Sequence, residues 1–365
     1  MDLNALICTL IVGGLLLLSF IKLSNAIEVN RKANIYFGVF VLLWSTFWLD
    51  EMIIPDLLDQ NTLLFAITRF IQFLVPVTFF ISVLFYINPH FKYSLKDCRF
   101  LIVPLLFLIL LFCKPLLKES LFNILYIVIV LAHSLFYTVS AYLKIQKHQK
   151  DIELFSSNTE FIDLKWIKYI IYSFITSSVL IIIYSAFTTG DGLNLYINLF
   201  FLVVVYLVTF YSIKQKEIYP RGLDIEKTIE PLDNSENNNE TPKNKLLSDD
   251  ELDTLKHHLL QLMEREKPYL DSELNLVKLA EKLQLSSHQL SYVINNGFNE
   301  NFFHFINKYR VQKAEELLTN PKWDHLNILA IGFESGFNSK TSFNTTFKKM
   351  TSYTPTEYRK KRSNL

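Results

Sequence analysis

Seven long runs of apolar residues occupy the first part of the chain. A helix that crosses a bilayer needs about 20 consecutive apolar residues. The runs cover residues 3–23, 34–54, 63–87, 99–113, 121–143, 167–187 and 194–213, and the fourth is the shortest. This pattern predicts a membrane domain of seven helical spans over residues 1–216.

Lysine and arginine residues beside these runs give a second indication of the topology. Fourteen of them fall on one side of an alternating seven-span path, and only Lys114 and Lys118 fall on the other. Because cytoplasmic loops are enriched in Lys and Arg, the first side is expected to be cytoplasmic. The protein would then be a multi-pass protein of the inner (cytoplasmic) membrane, with its N-terminus outside and its C-terminal domain in the cytoplasm.

Three ionisable residues inside the spans are candidates for sensing a signal. Asp50 and Glu51 lie near the outer end of span two, and Arg69 lies at a similar depth in span three. Charged groups in a bilayer are costly and therefore often functional. A pair between Arg69 and one acid would either line an outward-facing pocket or have a purely structural role. The connecting loops are short, so a signal would come from a ligand among the spans, from lipid or from a partner membrane protein.

The character of the chain changes after residue 216. Residues 217–247 contain a polar, Asn-rich stretch that predicts a flexible linker. Residues 248–365 read as a soluble domain, which opens with a capping-box pattern from Ser248 to Glu251. A leucine stripe follows, and it fits either packing on its own domain or a dimer seam with a second copy of the chain. This stripe comprises Leu252, Leu255, Leu259 and Leu262.

Two similar pairs of short helices are predicted in this domain. The first reads NLVKLAEKLQLSSHQLSYVIN from Asn275, and the second reads NILAIGFESGFNSKTSFNTTFKK from Asn327. In each, an apolar helix leads through a tight turn into a helix that starts with polar side chains, as in a helix-turn-helix unit. Gly336 lies at the second turn, where a positive φ is expected. A long helix with an apolar stripe from Phe302 to Leu318 would join the pairs.

The candidate DNA contacts lie mainly on the second helix of each pair. Gln289 has the donor and acceptor needed to read adenine, whereas Ser and His discriminate less. Lys348 and Lys349 suit phosphates better than bases, and for Arg310 a structural salt bridge is an equal alternative to phosphate binding. The full set comprises Ser287, His288, Gln289, Ser291, Tyr292, Arg310, Ser339, Lys340, Thr341, Asn344, Lys348 and Lys349.

Charge supports a polyanionic partner for this domain. The net charge of the chain is only +1, but from Asn301 onward there are eleven Lys or Arg residues against five Asp or Glu residues. Such a local excess is typical of nucleic-acid binding. The three cysteines form no CxxC pattern, and no HExxH, Ser-His or paired-carboxylate arrangement stands out. We therefore expect no enzymatic activity, no cofactor and no metal site.

Three stretches together resemble the DNA-binding domain of AraC/XylS-type transcriptional regulators. They are LAEKLQLSSHQLSYVIN, NFFHFINKYRVQKAEELL and GFNSKTSFNTTFKKMTSYTPTEYR, and the resemblance runs from Leu274 to about Arg362. It implies two helix-turn-helix units on one linking helix, with both recognition helices in successive major grooves on one face of the DNA. Family members usually have Gly in the turn before the Thr-Pro, where this chain has Ser352. The membrane half resembles, less specifically, multi-span sensor regions fused to such domains in some bacteria.

These observations favour a membrane-anchored, one-component transcription factor. The predicted fold is all-α, with a seven-helix membrane bundle followed by a cytoplasmic domain of two helix-turn-helix units joined by a long helix. Its expected partners are double-stranded DNA, membrane lipid, RNA polymerase, a second copy of the chain and an unidentified ligand or membrane protein. The alternative is a seven-span transporter or receptor whose helical regulatory module does not bind DNA.

Overall fold

The computed structural model describes two compact units. It covers residues 3–27, 29–53, 61–89, 91–92, 94, 100–187, 193–220, 222–223 and 246–363, with only the backbone at residues 50–53, 185–187 and 362–363. The first unit comprises Met1–His148 and Leu164–Ile218, and the second comprises Gln149–Asp163 and Tyr219–Leu365. We call Gln149–Asp163 the insert segment. Most of the predicted linker lies outside the described residues.

Every regular element in the described ranges is helical, which confirms the all-α prediction. In the first unit the helices are α1 (Leu3–Leu23), α2 (Arg31–Ile53), α3 (Thr62–Phe73), α4 (Val75–Ile87), α5 (Ile102–Phe112), α6 (Glu119–Asp151), α7 (Lys165–Phe187) and α8 (Asn194–Ile213). Helix α2 packs on α1, α3 and α4, while α8 packs on α1 and α7. Pro76 lies in the first turn of α4, where its missing N–H leaves no helical hydrogen bond unmade.

Large aromatic side chains on α2 form the centre of the first unit. The ring of Trp44 lies 5.5 Å from that of Phe40, 5.4 Å from Phe174 and 6.2 Å from Phe201. One turn further along α2, the Trp48 indole N–H donates to the Asn198 side-chain oxygen at 2.9 Å. Buried Tyr and Trp side chains usually need such a polar partner. The aromatic cluster therefore joins α2 to α7 and α8.

The outer surface of the first unit is also apolar. On α6, Leu131, Leu135 and Phe136 are 63%, 66% and 62% exposed. Continuous apolar surface of this kind is unusual on a soluble protein and typical of a membrane-facing one. Among the described residues, six helical stretches are long and apolar enough to cross a membrane: Leu3–Leu23, Arg31–Leu49, Thr62–Ile87, Glu119–Leu154, Lys165–Tyr184 and Asn194–Ile213.

The fourth predicted span has a shorter helix than the others. Its helix, α5, contains 11 residues, which corresponds to about 16 Å of rise. The hydrocarbon core of a bilayer is about 30 Å thick. Six stretches therefore meet the length for spanning when α3 and α4 are counted together as one, and the seventh span stays a prediction.

The second unit is a helical domain whose elements follow the predicted order. They are α9 (Asp249–Arg265), α10 (Leu276–Lys282), α11 (Ser287–Phe298), α12 (Phe302–Thr319), α13 (Ile328–Glu334), α14 (Lys340–Thr351) and α15 (Pro355–Ser363). Helix α12 packs on α11, α13, α14 and α15. The predicted apolar stripe on α12 is buried, apart from the half-buried Tyr309. The long helix is thus the centre of this unit.

Helix α9 begins and packs as its sequence pattern indicates. The Glu251 carboxylate accepts the Ser248 N–H at 2.8 Å, and the Ser248 hydroxyl accepts the Glu251 N–H at 3.3 Å. Leu259 and Met263 are buried, and α9 packs on α11. Of the stripe leucines, Leu259 is buried in this domain while Leu252, Leu255 and Leu262 are partly exposed, so the dimer seam stays an open alternative.

Ser352 ends α14 in a left-handed conformation, with φ at +66°. Glycine adopts this conformation without the steric cost that a Cβ brings. We predict that Ser352→Gly raises the free energy of unfolding of the second unit by about 0.5–1 kcal/mol. Pulse proteolysis of the solubilised full chain measures this change. Ser352→Ala is the control, because it removes the hydroxyl but keeps the Cβ, and a matching gain in that variant would contradict the explanation.

Candidate nucleic-acid interface

The first helix pair, α10 and α11, has a cap at the start of each helix. The Asn275 side chain accepts the Lys278 N–H, and Ser286 opens α11 with a capping box that includes Gln289. The turn between them passes through Gln284 with φ at +56°. Leu290, Val293 and Ile294 face the interior, as predicted.

Two predicted base-reading residues of this pair have other roles in the structure. The Gln289 side-chain oxygen accepts both the N–H and the hydroxyl of Ser286, each at 3.0 Å. Ser291 is buried, and its hydroxyl accepts the Asn295 amide at 3.3 Å. Ser287, His288 and Tyr292 are partly exposed. The accessible surface of α11 is therefore smaller than the sequence suggested.

The second helix pair, α13 and α14, depends on glycine at two positions. Gly336 in the turn has φ at +89°, and a Cβ there would overlap the carbonyl oxygen of Tyr269. A Cβ on Gly332 would lie 2.7 Å from the ring of Phe343, so this glycine lets the two helices approach closely. The positive φ predicted for Gly336 is confirmed. Phe337 packs inward and Ser339 caps α14, accepting the Ser342 N–H at 3.1 Å.

Helix α14 presents one continuous polar face. Its exposed residues follow one side of the helix, with Thr341, Thr345 and Lys349 four residues apart and Lys340 and Lys348 beside them. Asn344 lies on the same side and is partly exposed. Ser339, which caps the start of the helix, is also partly exposed. The opposite side carries the buried rings of Phe343 and Phe347. This is the division expected of a recognition helix, with apolar residues inward and short polar or basic residues outward.

Arg310 is not available to DNA, which corrects its assignment as a candidate phosphate contact. The residue is 1% exposed. Its guanidinium donates to the carbonyl oxygens of Tyr269 at 2.7 Å and Asp271 at 2.8 Å. Burial lowers the pKa of Arg310 to about 10, so the group stays charged at neutral pH. Its role is structural, but its contacts are carbonyl and hydroxyl oxygens rather than a carboxylate of a salt bridge.

Two lysines on the linking helix are held by neighbouring acids. Lys308 pairs with Glu300 at 3.2 Å, and Lys313 pairs with Glu316 at 3.0 Å. Such exposed pairs contribute little to stability and exchange readily. Helix α14, which carries exposed Lys340 and Lys348, presents more accessible positive charge than α12.

Sequence reasoning missed the contribution of the insert segment. Its residues belong to a loop between two apolar runs, yet Ile152, Phe155 and Ser157 are buried. Ser156 pairs with Asn275 in an isolated antiparallel bridge. The apolar residues of this loop, which include Ile152 and Phe155, were the available signal.

The comparison with known families agrees with this geometry. A family model described as a helix-turn-helix domain matches residues 279–361. Residues 279–361 form an AraC-type helix-turn-helix domain. A similar protein is an uncharacterized HTH-type transcriptional regulator of Staphylococcus aureus (strain COL), which is 33% identical over 91 residues, or 25% of this chain. The match covers 12% of that relative's length. No solved structure matches the chain.

The capping role of Gln289 leads to a prediction that separates stability from base reading. Gln289→Ala should lower the free energy of unfolding by about 0.5–1 kcal/mol, because the Ser286 N–H loses its acceptor. Gln289→Glu keeps that acceptor and should preserve stability. Thermal unfolding of the full chain measures both variants. Unchanged stability of Gln289→Ala together with altered base preference would show that Gln289 leaves the cap to read DNA.

Proposed function

We propose that this protein is a membrane-anchored transcription regulator that binds double-stranded DNA through its second unit. The observation that carries the proposal is the exposed face of α14, in which lysine and threonine side chains repeat every four residues within the matched domain. Lys340, Lys348 and Lys349 would neutralise phosphates, while Thr341 and Asn344 would face base edges.

Both helix pairs act as helix-turn-helix units in this proposal. The first pair contributes Ser287, His288 and Tyr292, which are partly exposed at and near the start of α11. Helix α12 contains 18 residues and is therefore about 27 Å long. This length is comparable with the 34–36 Å between successive major grooves on one DNA face. The linking helix thus suits two recognition helices that enter neighbouring grooves.

The first unit is the proposed membrane anchor. Its six long apolar helices and exposed leucine-rich surface support insertion in the cytoplasmic membrane. We count α5 as a seventh, short span, because the lysine distribution then puts the N-terminus outside and the second unit in the cytoplasm with the DNA. Membrane lipid, RNA polymerase and a second copy of the chain are the further partners of this proposal.

DNA binding is tested with the full chain in lipid nanodiscs rather than with residues 246–365. A truncated fragment would lack Phe155, which is fully buried in the second unit. We predict that affinity for a duplex falls steeply with salt, and that Lys348→Ala reduces the slope of log K against log salt by about 0.9. Fluorescence anisotropy between 50 and 200 mM salt gives that slope.

Lys322→Ala is the matched control for this measurement. Lys322 is also exposed, but it lies in the turn between α12 and α13 rather than on α14. It should leave the slope unchanged. A correctly folded protein that does not retain duplex DNA at the lowest salt would contradict the proposed function, and would favour a transporter or receptor with a regulatory module.

Signal sensing is assigned in our proposal to a cavity in the first unit. The acids of the predicted sensing group, Asp50 and Glu51, have side chains outside the described residues, and Arg69 donates to the Gln72 side chain at 2.8 Å. The cavity has a volume of about 950 Å³ and a mainly apolar and aromatic lining that includes His133 and Lys144. Neither nitrogen of the His133 ring has a hydrogen-bond partner among the described residues.

A mainly apolar lining that includes Lys144 and Lys147 suits an amphiphile with an acidic headgroup. His133 and Lys144 are both on α6, eleven residues or about 16 Å apart along the helix. A long acyl chain would lie along the apolar wall, with its carboxylate at Lys144 near the cytoplasmic end. Volumes of 300–1,000 Å³ are usual for sites that enclose such ligands.

We predict that a photoreactive long-chain fatty acid labels α6 of the protein in nanodiscs. Lys144→Gln should reduce labelling about three-fold or more, because the carboxylate loses its ionic partner. Lys214→Gln, at the end of α8, is the matched control. Mass spectrometry of the labelled peptides measures the yield. Equal labelling by the methyl ester, with no effect of Lys144→Gln, would show that acyl chains enter without recognition.

A further inference from the structure

The insert segment is an integral part of the DNA-binding unit, although in sequence it lies between α6 and α7. Ile152 and Phe155 are 1% and 0% exposed. The carbonyl oxygen of Phe155 accepts the Leu276 N–H at 2.9 Å, at the first residue of α10. Removing two such apolar side chains from water stabilises the docked arrangement. The segment is therefore anchored rather than resting on the surface.

Ser157 fixes the centre of the segment to the linking helix. Its hydroxyl donates to the Leu274 carbonyl at 2.5 Å, and it accepts from the Arg310 guanidinium at 3.1 Å. Its carbonyl oxygen accepts the Asn307 amide at 2.9 Å. The side chains of Ser157, Asn307 and Arg310 are all buried, so breaking these hydrogen bonds would leave buried polar groups without partners.

Two carboxylates of the segment contact helix α14. Glu160 accepts a hydrogen bond from the hydroxyl of Ser339, the residue that caps α14. Glu153 lies 3.6 Å from the ammonium group of Lys349 in the last turn of the same helix. The other oxygen of Glu153 accepts the Asn301 amide at 3.3 Å. The segment thus brings negative charge to both ends of the helix with the exposed basic face.

These two contacts use groups that DNA would also use. A helix N-terminus and its capping hydroxyl favour an anion such as phosphate, and a lysine in the last turn suits a second phosphate. The Ser339 hydroxyl has a single donor, which the Glu160 carboxylate occupies, and the Glu153 carboxylate offsets the positive charge of Lys349 that a phosphate would use. The negative charge of each carboxylate also repels the adjacent phosphates of the DNA backbone. The docked carboxylates and a bound duplex therefore compete for Ser339 and Lys349.

The segment is connected directly to two apolar helices of the first unit. It overlaps the end of α6 at Asp151, and α7 begins at Lys165. Phe161 and Leu164, close to the start of α7, have φ values of +64° and +54°. Such φ values are sterically unfavourable for bulky residues, so the backbone of this short connection is strained. Glu153 lies two residues after the end of α6, and Glu160 lies five residues before the start of α7. A movement of either helix would therefore displace the nearby carboxylate.

We propose that the insert segment is an inhibitory arm of the DNA-binding unit. It stays anchored through Phe155 and Ser157, while Glu153 and Glu160 hold Ser339 and Lys349 until DNA or a movement of α6 and α7 displaces them. This inference rests on the proposed function, since it describes how the same DNA-binding surface is regulated.

The test uses the full chain in nanodiscs and a random pool of 40-base-pair duplexes. We predict that the double variant Glu153→Gln, Glu160→Gln binds about 10-fold more tightly than the natural sequence, because two competing charges are lost. Glu334→Gln is the matched control, since it changes the net charge of the same unit by one and Glu334 is exposed on α13. The single variants Glu153→Gln and Glu160→Gln should each exceed the control.

Hydrogen exchange of the same samples tests the anchor. The Leu276 amide, which donates to Phe155, should stay protected with and without DNA. Its protection in the double variant also verifies folding. Affinities of all glutamate variants equal to that of Glu334→Gln would overturn the inhibitory role, and loss of Leu276 protection on DNA binding would overturn the permanent anchor. Failure of the natural sequence and every variant to bind duplexes at low salt would instead refute the proposed function.

Discussion

The buried guanidinium of Arg310 is the interaction on which the second unit depends. It joins the chain before α10, through Tyr269 and Asp271, to the insert segment, through Ser157. A charge in this position is tolerated because carbonyl and hydroxyl oxygens replace its water. Gly336 packs against the same group, since a Cβ there would lie 3.2 Å from the Arg310 Nε atom. The turn before the polar face of α14 is therefore built directly on this arginine.

This arrangement separates the interior of the domain from its polar face. Helix α12 directs its apolar stripe and Arg310 inward, so its few charged groups do not form a basic surface of their own. Helix α14 carries the basic surface because Phe343 and Phe347 hold its other side in the core. The start of α11 is partly exposed, whereas α14 has an exposed side that carries lysines, so the second helix pair has more accessible charge.

The same contacts tie DNA recognition to the apolar helices through covalent continuity. A regulator with a freely tethered domain would transmit a signal only by changing local concentration. Here a piece of chain from between two apolar helices fills the core of the second unit, with Phe155 buried and Glu160 at the cap of α14. Displacement of those helices can therefore act on the polar face itself. Allosteric coupling requires contacts at each of two sites that differ between the two states. In the proposed inhibitory arm, Glu153 and Glu160 supply such contacts at the α14 site.

Local sequence determined much of this protein, because caps, apolar periodicity and turn glycines act within a few residues. The helical class, the Ser248 capping box, the inward side of α12 and the positive φ of Gly336 all follow from such short-range rules. The tertiary structure decided what depends on residues far apart in the chain. Arg310 can be buried because its guanidinium donates to the carbonyl oxygens of Tyr269 and Asp271, which lie 41 and 39 residues earlier in the chain. The capping contact of Gln289 was within reach of a local rule, since Ser286 lies only three residues before it. The insert segment contacts residues more than 100 positions later in the chain, and no local pattern predicts that contact.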